Sequence, residues 1–128
     1  MATRVAQARD VALNEMNFRG VSINTAETAI TLFSSDSGII FIQNYASATT
    51  YTLPTVTDCA GKMFLFLNSN TNTSTVITST TSLIKGKHTA GATSTVLTSA
   101  AIGDFLIIVG DGTYFYTIAG VSHWTRTS

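Results

Sequence analysis

The stretch 34-SSDSGIIFIQNYASATTYTLPTVTDCAGKMFLFLN-68 sets the pattern of the whole chain. It holds three apolar or alternating runs, which are Ile39–Ile42, Thr50–Leu53 and Met63–Leu67. Each run is short, rich in β-branched and aromatic side chains, and bounded by Gly, Pro, Asn, Asp or Ser. Such runs are typical of strands in a compact β core.

The same rhythm continues along the chain. Further strand candidates are residues 28–33, 75–78, 83–84, 93–98, 105–109, 113–118 and 121–126. The Gly110–Gly112 segment, Gly-Asp-Gly, joins two β-rich runs and is a strong hairpin signal. Residues 105–109 are apolar on both faces of a strand, so this strand is predicted to be central in its sheet. We predict eight to ten short strands in one all-β domain, a compact β-sandwich or small β-barrel with mostly antiparallel pairing.

The first part of the chain differs from the rest. We assign residues 1–28 to an N-terminal arm and linker, and residues 29–128 to the β domain. Apolar residues recur in the arm at helical spacing, at Val5, Ala8, Ala12 and Met16. Two interpretations stay open: a frayed tail with residual helicity, or an arm, extended or partly helical, that becomes ordered only against a partner.

Composition argues against several functional classes. Charged residues make up 11% of the 128 residues, and the formal net charge is zero. A neutral chain lacks the dense basic patch that binds nucleic acid through its phosphates. No apolar run approaches the roughly 18 residues of a membrane span, and no apolar segment follows Met1–Arg4 as in a signal peptide. The single cysteine, Cys59, excludes an intrachain disulfide and suits synthesis in a cytoplasm.

Polarity without charge is the remaining feature of the composition. Ser and Thr account for 36 of the 128 residues. Threonine is a good strand former and fits the solvent face of a sheet without adding charge. Such surfaces are typical of β proteins whose exposed area is shared with neighbours in an assembly.

Candidate catalytic residues are few. Cys59 lies in a turn with no recognisable nucleophile context, and His88 and His123 fit solvated or core-edge histidines. No His-x-x-x-His or Cys-x-x-Cys spacing indicates a zinc site. We therefore predict no enzymatic activity, no metal and no cofactor.

Three aromatic residues suggest a second type of site. Tyr114, Tyr116 and Trp124 would suit a platform for sugar rings. The alternative is that the two tyrosines alternate with Phe115 on a hairpin and pack, with their hydroxyl groups reaching water.

The central stretch also carries a family resemblance. The turn Asp36–Gly38 precedes an apolar run, Thr52–Pro54 closes an alternating strand, and Gly61 leads into the aromatic-rich Met63–Phe66. The same order continues with Thr75–Thr78, Leu83, Ile84 and Gly86. This order resembles small β modules of tailed-bacteriophage structural proteins, which include capsid decoration (cement) proteins and some fibre domains. The resemblance covers about residues 30–118.

The cement role fits best within that group, because the chain is a single small domain without the long repetitive segments of fibre proteins. The resemblance implies a homotrimer that is made in the host cytoplasm, sits on the outer capsid surface of the virion and clamps neighbouring major capsid proteins. The arm would then contact the capsid or a neighbouring subunit. The residues predicted for that contact are Arg4, Arg9, Val11, Leu13, Met16, Phe18 and Arg19. The alternative is a head- or tail-fibre module that binds a host-surface glycan.

Overall fold

A computed structural model describes residues 18–70, 75–79, 84–85, 93–94, 96–99, 101–120 and 124–127. Within these ranges the chain forms twelve strands and two single-turn 3₁₀ helices, Ser34–Asp36 and Val56–Asp58. The strands are β1 (Gly20–Asn24), β2 (Ala29–Thr31), β3 (Ile39–Gln43), β4 (Thr49–Thr52), β5 (Met63–Asn68), β6 (Thr75–Thr78), β7 (Ile84–Lys85), β8 (Thr93–Ser94), β9 (Val96–Ser99), β10 (Phe105–Gly110), β11 (Phe115–Ala119) and β12 (Thr125–Thr127). The predicted all-β class is confirmed. The predicted eight to ten strands are too few, because β1 was not predicted and the predicted strand 93–98 corresponds to two strands, β8 and β9, in different sheets.

The strands form two sheets. Sheet A has seven strands in the order β1-β3-β5-β10-β11-β7-β8, and sheet B has five in the order β12-β9-β6-β4-β2. Aromatic rings join the sheets: Tyr51 of β4 lies 5.8 Å from Phe41 and 5.4 Å from Phe66 between ring centroids. Tyr51 is only 1% exposed, and its hydroxyl group has no hydrogen-bond partner among the described residues. The inward side chains of both sheets thus share one core.

The prediction of mostly antiparallel pairing is wrong, since five of the ten described strand pairs are parallel. Strands β1 to β6 alternate between the sheets, so each turn of a flattened coil adds one strand to sheet A and one to sheet B. Successive turns therefore place parallel strands side by side. Strands of all-parallel sheets that are covered on both faces have continuous apolar runs; Ile39–Ile42 in β3 is such a run, whereas the parallel strand β4 alternates.

Buried polar side chains line one end of the coil. Asn24, Gln43 and Asn68 are register partners on β1, β3 and β5, and all three are buried. The Asn24 Nδ2 donates to Gln43 Oε1 at 2.8 Å, to Thr49 Oγ1 at 2.9 Å and to the Glu27 carbonyl at 2.8 Å. Its Oδ1 accepts from the Glu27 backbone N–H at 2.9 Å. Because Thr49 begins β4, this one amide ties sheet A to sheet B.

The second half of the chain packs β10 between β5 and β11, which confirms the predicted central position of residues 105–109. The predicted hairpin is also confirmed, because β10 and β11 pair antiparallel around the Asp111 turn. Asp111 Oδ1 accepts from the backbone N–H of Thr113 at 2.8 Å and of Tyr114 at 2.7 Å. These two bonds lower the pKa of Asp111 below its ordinary value.

The β11 strand ends at a glycine for a steric reason. Gly120 has φ +81°, and a Cβ atom there would lie 2.0 Å from the Phe105 carbonyl oxygen. No side chain fits at that distance, so the tight approach of β11 to β10 depends on glycine.

Sheet A begins inside the range assigned to the arm. The predicted arm and linker, residues 1–28, contains β1, which pairs with β3 from Gly20 to Asn24. Residues 1–17 lie outside the described residues. The arm therefore includes at least one strand of the β domain.

Candidate assembly surfaces

The outer side of sheet A carries two rows of aliphatic and aromatic residues. The registers of β1, β3, β5 and β10 align Val21, Ile40, Leu65 and Ile107 in one row. The second row is Ile23, Ile42, Leu67 and Phe105. Side chains alternate across a strand, and the inward neighbours of these residues on β5 and β10 are buried. We call these eight residues the apolar face.

The apolar face is partly open to solvent in the single chain. Val21, Ile23 and Phe105 are 57%, 58% and 45% exposed. The other five residues of the apolar face are partly buried. None of its eight residues is polar or charged. A contiguous exposed apolar patch of a few hundred Å² is a candidate site of contact with another molecule. The sequence predicted apolar residues on both faces of β10 alone. It did not predict that four strands form one apolar face.

The outer side of sheet B has the opposite character. Its outward positions with described side chains are Ala29, Thr31, Thr50, Thr52, Val96, Thr98 and Thr125. Five of these seven residues are threonine. Threonine satisfies its hydroxyl with water while keeping strand geometry, so this threonine face suits direct exposure to solvent.

The first turn of the coil leaves strand edges unpaired among the described residues. β1 ends the order of sheet A, and β2 ends that of sheet B. An unpaired edge offers backbone N–H and C=O groups to a strand of another chain. Two concavities of about 360 and 370 Å³ adjoin this turn, one beside Glu27 and the other between Phe33, Leu53 and Asp58. Each has a single carboxylate in its lining, so neither offers a paired acid and base.

Two of the seven predicted contact residues can be located. Phe18 is 49% exposed just before β1. The Arg19 guanidinium donates to the carbonyl groups of Ser35 and Ser37 at 2.7 and 3.0 Å, and its backbone N–H donates to the Gly38 carbonyl at 2.8 Å. Arg19 thus fixes the start of β1 to the turn before β3. The other five, Arg4, Arg9, Val11, Leu13 and Met16, lie outside the described residues.

The proposed aromatic platform is only partly assembled. The Tyr114 and Tyr116 rings meet at 6.4 Å with an edge-on geometry, and the Tyr116 hydroxyl donates to Asp111 Oδ2 at 3.0 Å. Lys85 Nζ lies 4.0 Å from the centre of the Tyr114 ring and covers one of its faces. Trp124 does not join them, because it is 3% exposed and its indole N–H donates to the Phe105 carbonyl at 2.9 Å. Its role is in the core.

The described residues contain no cluster of three or more side chains able to hold a metal ion. Cys59 is fully buried, and burial together with the nearby Asp58 charge raises the pKa of its thiol. A buried, protonated thiol is a poor nucleophile. His88 and His123 lie outside the described residues. Within the same part of the chain, no helix has the length and hydropathy needed to cross a membrane.

Comparison with known proteins gives no assignment. No protein-family model matches the chain. No curated protein is significantly similar to it either. The surfaces described above are therefore the basis for any functional proposal.

Proposed function

We propose that this chain is a β-sandwich structural protein of a virion, one that decorates and stabilises a phage capsid by bridging major capsid proteins. In this role it acts as a homotrimer on the outer capsid surface and is not an enzyme. The observation that carries the proposal is the pair of edges, β1 and β2, at the first turn of the coil, which no other described strand pairs with. The family resemblance of residues 30–118 supplies the class of partner.

The edges fit this role for a physical reason. A strand edge binds an extended segment of another protein through main-chain hydrogen bonds, which need no charged groups and no catalytic residues. Phe18 and Phe33 stand exposed around the same turn and would supply apolar contacts beside that pairing. Because β1 and β2 belong to different sheets, one molecule offers two edges and can join two neighbouring capsid subunits.

A reconstitution experiment tests the proposal. Purified protein is added to capsids that lack it, and binding is measured by sedimentation while shell stability is followed under heating and chelation. We expect saturable binding and shells that survive a higher temperature. A variant lacking residues 1–17 keeps every described strand and should bind more weakly if the predicted arm residues contact the shell. Thr98→Lys, on the threonine face, serves as the matched control. Shells that bind no protein and gain no resistance would refute the proposal.

The Tyr114–Tyr116 pair favours a second candidate, a fibre module that binds host-surface glycan. Both rings are partly exposed and sit beside Asp111 and Lys85, whose polar groups suit sugar hydroxyls. A glycan array with wild type and Tyr114→Ala would decide: glycan binding that the substitution abolishes supports this candidate. Trp124→Ala is not a useful probe, because loss of that buried side chain reports on stability.

A further inference from the structure

We infer that the apolar face of sheet A is an interface between copies of this chain. Its two rows run across β1, β3, β5 and β10 without a polar interruption. Strands β3 and β5 also send aromatic side chains inward to the shared core, Phe41, Phe64 and Phe66, and β10 sends Leu106 and Ile108. These three adjacent strands are thus apolar on both sides, and the described residues cover only the inner side.

The contrast between the two outer sides argues that a partner covers the face. Both sheets belong to one coil and have outward positions at matching spacing, yet one side is threonine and the other aliphatic. Solvent exposure alone would favour the threonine pattern on both sides. Continuous apolar runs belong to strands that are buried on both faces. A second protein layer against sheet A accounts for the difference.

The size of the face suits the centre of a protein interface. Strands are about 4.8 Å apart and outward residues about 6.8 Å apart, so each outward position covers about 33 Å², and the apolar face together with Met63 and Val109 spans roughly 330 Å². Met63 of β5 and Val109 of β10 begin a third row on this side of sheet A. They are register partners and are partly buried. A standard interface buries about 800 Å² per partner, with an apolar centre and a polar rim. The face thus matches the expected centre of one interface.

The chemistry of the face selects a second copy as the partner. It has no charge or hydrogen-bonding side chain that would choose a different protein by complementarity. In a closed trimer the same face of each copy can turn toward the threefold axis and pack against its two neighbours. Closed symmetry then covers the face on every copy and leaves none exposed.

This inference deepens the proposed function by assigning separate surfaces: sheet A to neighbouring copies, and the edges of the first turn to the capsid. It rests on that proposal only for its biological setting. Its test needs no capsid, so a protein that binds shells as a monomer would overturn the inference and the homotrimer, and would leave the decoration of the capsid standing.

The experiment measures molar mass by light scattering during size-exclusion chromatography over a range of concentrations. Leu65→Lys places a charge in the middle of the face. The double-threonine variant, Ile42→Thr with Leu65→Thr, makes the centre of the apolar face resemble the threonine face of sheet B. Threonine is a good strand former, so the strands are kept. Thr50→Lys is the control, because it adds the same charge at a central position on the threonine face. Far-UV circular dichroism checks the fold of each variant.

We expect wild type and Thr50→Lys to have the mass of an oligomer. Each face variant should raise the concentration needed for association at least about tenfold, since each loses a buried Leu contact. A monomeric wild type would overturn the inference, and so would an unchanged oligomer in the folded double-threonine variant. If Leu65→Lys fails to fold, the double-threonine variant decides. Should wild type be monomeric and the chain without residues 1–17 associate, those residues would be the cover, and the inference would be wrong.

Discussion

Replacing Asn24 by Ala is the most direct test of how the two sheets are held together. Its side chain makes four short bonds that Ala cannot make, and three of them have no substitute: those to Gln43 Oε1, to Thr49 Oγ1 and from the Glu27 N–H. Each such bond contributes a net of about 1 kcal/mol. The Glu27 carbonyl keeps a partner, because Thr49 Oγ1 also donates to it at 2.8 Å.

The expected loss is therefore about 3 kcal/mol, a large part of the 5–15 kcal/mol that stabilises a typical domain. For a chain of this size that loss lowers the melting temperature by roughly 10 °C. The control is Asn44→Ala, the same substitution at an exposed position one residue beyond β3. We expect it to change the free energy of unfolding by less than about 0.5 kcal/mol.

Urea unfolding followed by Trp124 fluorescence and circular dichroism measures both variants. All samples need one protein concentration, because self-association raises the apparent stability. A double-mutant cycle with Gln43→Ala should give a coupling energy of about 1 kcal/mol between the two amides. If Asn24→Ala unfolds within about 1 kcal/mol of Asn44→Ala, the amide does not hold the sheets together and the reasoning fails.

Three further outcomes are expected. Gly120→Ala should destabilise the fold by at least about 2 kcal/mol more than Gly61→Ala in urea unfolding. Both glycines have positive φ, but of the two only Gly120 lacks room for a Cβ atom. Equal losses would show that backbone conformation alone matters. Tyr51→Phe should leave stability unchanged or raise it by about 1 kcal/mol, because the hydroxyl it removes is buried without a partner; a clear loss would reveal a bond to that oxygen. The pKa of Asp111 is lowered in the folded state, so its stabilisation is present above the ordinary Asp pKa of about 3.9 and is lost as pH falls through the folded value. Asp111→Asn should remove this part of the acid dependence of melting, and an unchanged pH profile would contradict the assignment.

The sequence was informative where local chemistry decides the structure. Residues 63–67 and 105–109 are dense in β-branched and aromatic side chains, and both became strands at nearly the predicted limits. The Asp111 turn is also local, because its hydrogen bonds join residues two and three positions apart. Short-range patterns of this kind do not depend on which distant strand lies alongside.

The coiled arrangement of strands β1 to β6 could not be predicted from local sequence patterns in the same way. Register partners are 19 residues apart between Gly20 and Ile39 but 25 apart between Ile40 and Leu65, so the turns of the coil leave no fixed repeat in the sequence. Strand β1 was missed because it has only two large apolar residues, Val21 and Ile23, and both are exposed rather than part of the core. Two candidate site residues have structural roles that their local sequence does not indicate: the predicted contact residue Arg19 fixes the start of β1, and Trp124, a candidate for the aromatic platform, is buried in the core.

The pairing of β5 with β10 has a consequence during synthesis of the chain. β5 pairs with β3 on one side as soon as both have emerged, but its other edge meets β10 across a gap of 38 residues at Leu67 and Phe105. Until then a nascent chain presents the run Met63–Leu67 with an open edge, the kind of segment that recruits identical segments into cross-β aggregates. Chains that terminate before residue 105 should therefore accumulate as insoluble material, and the yield of native protein should depend on how quickly the last strands follow.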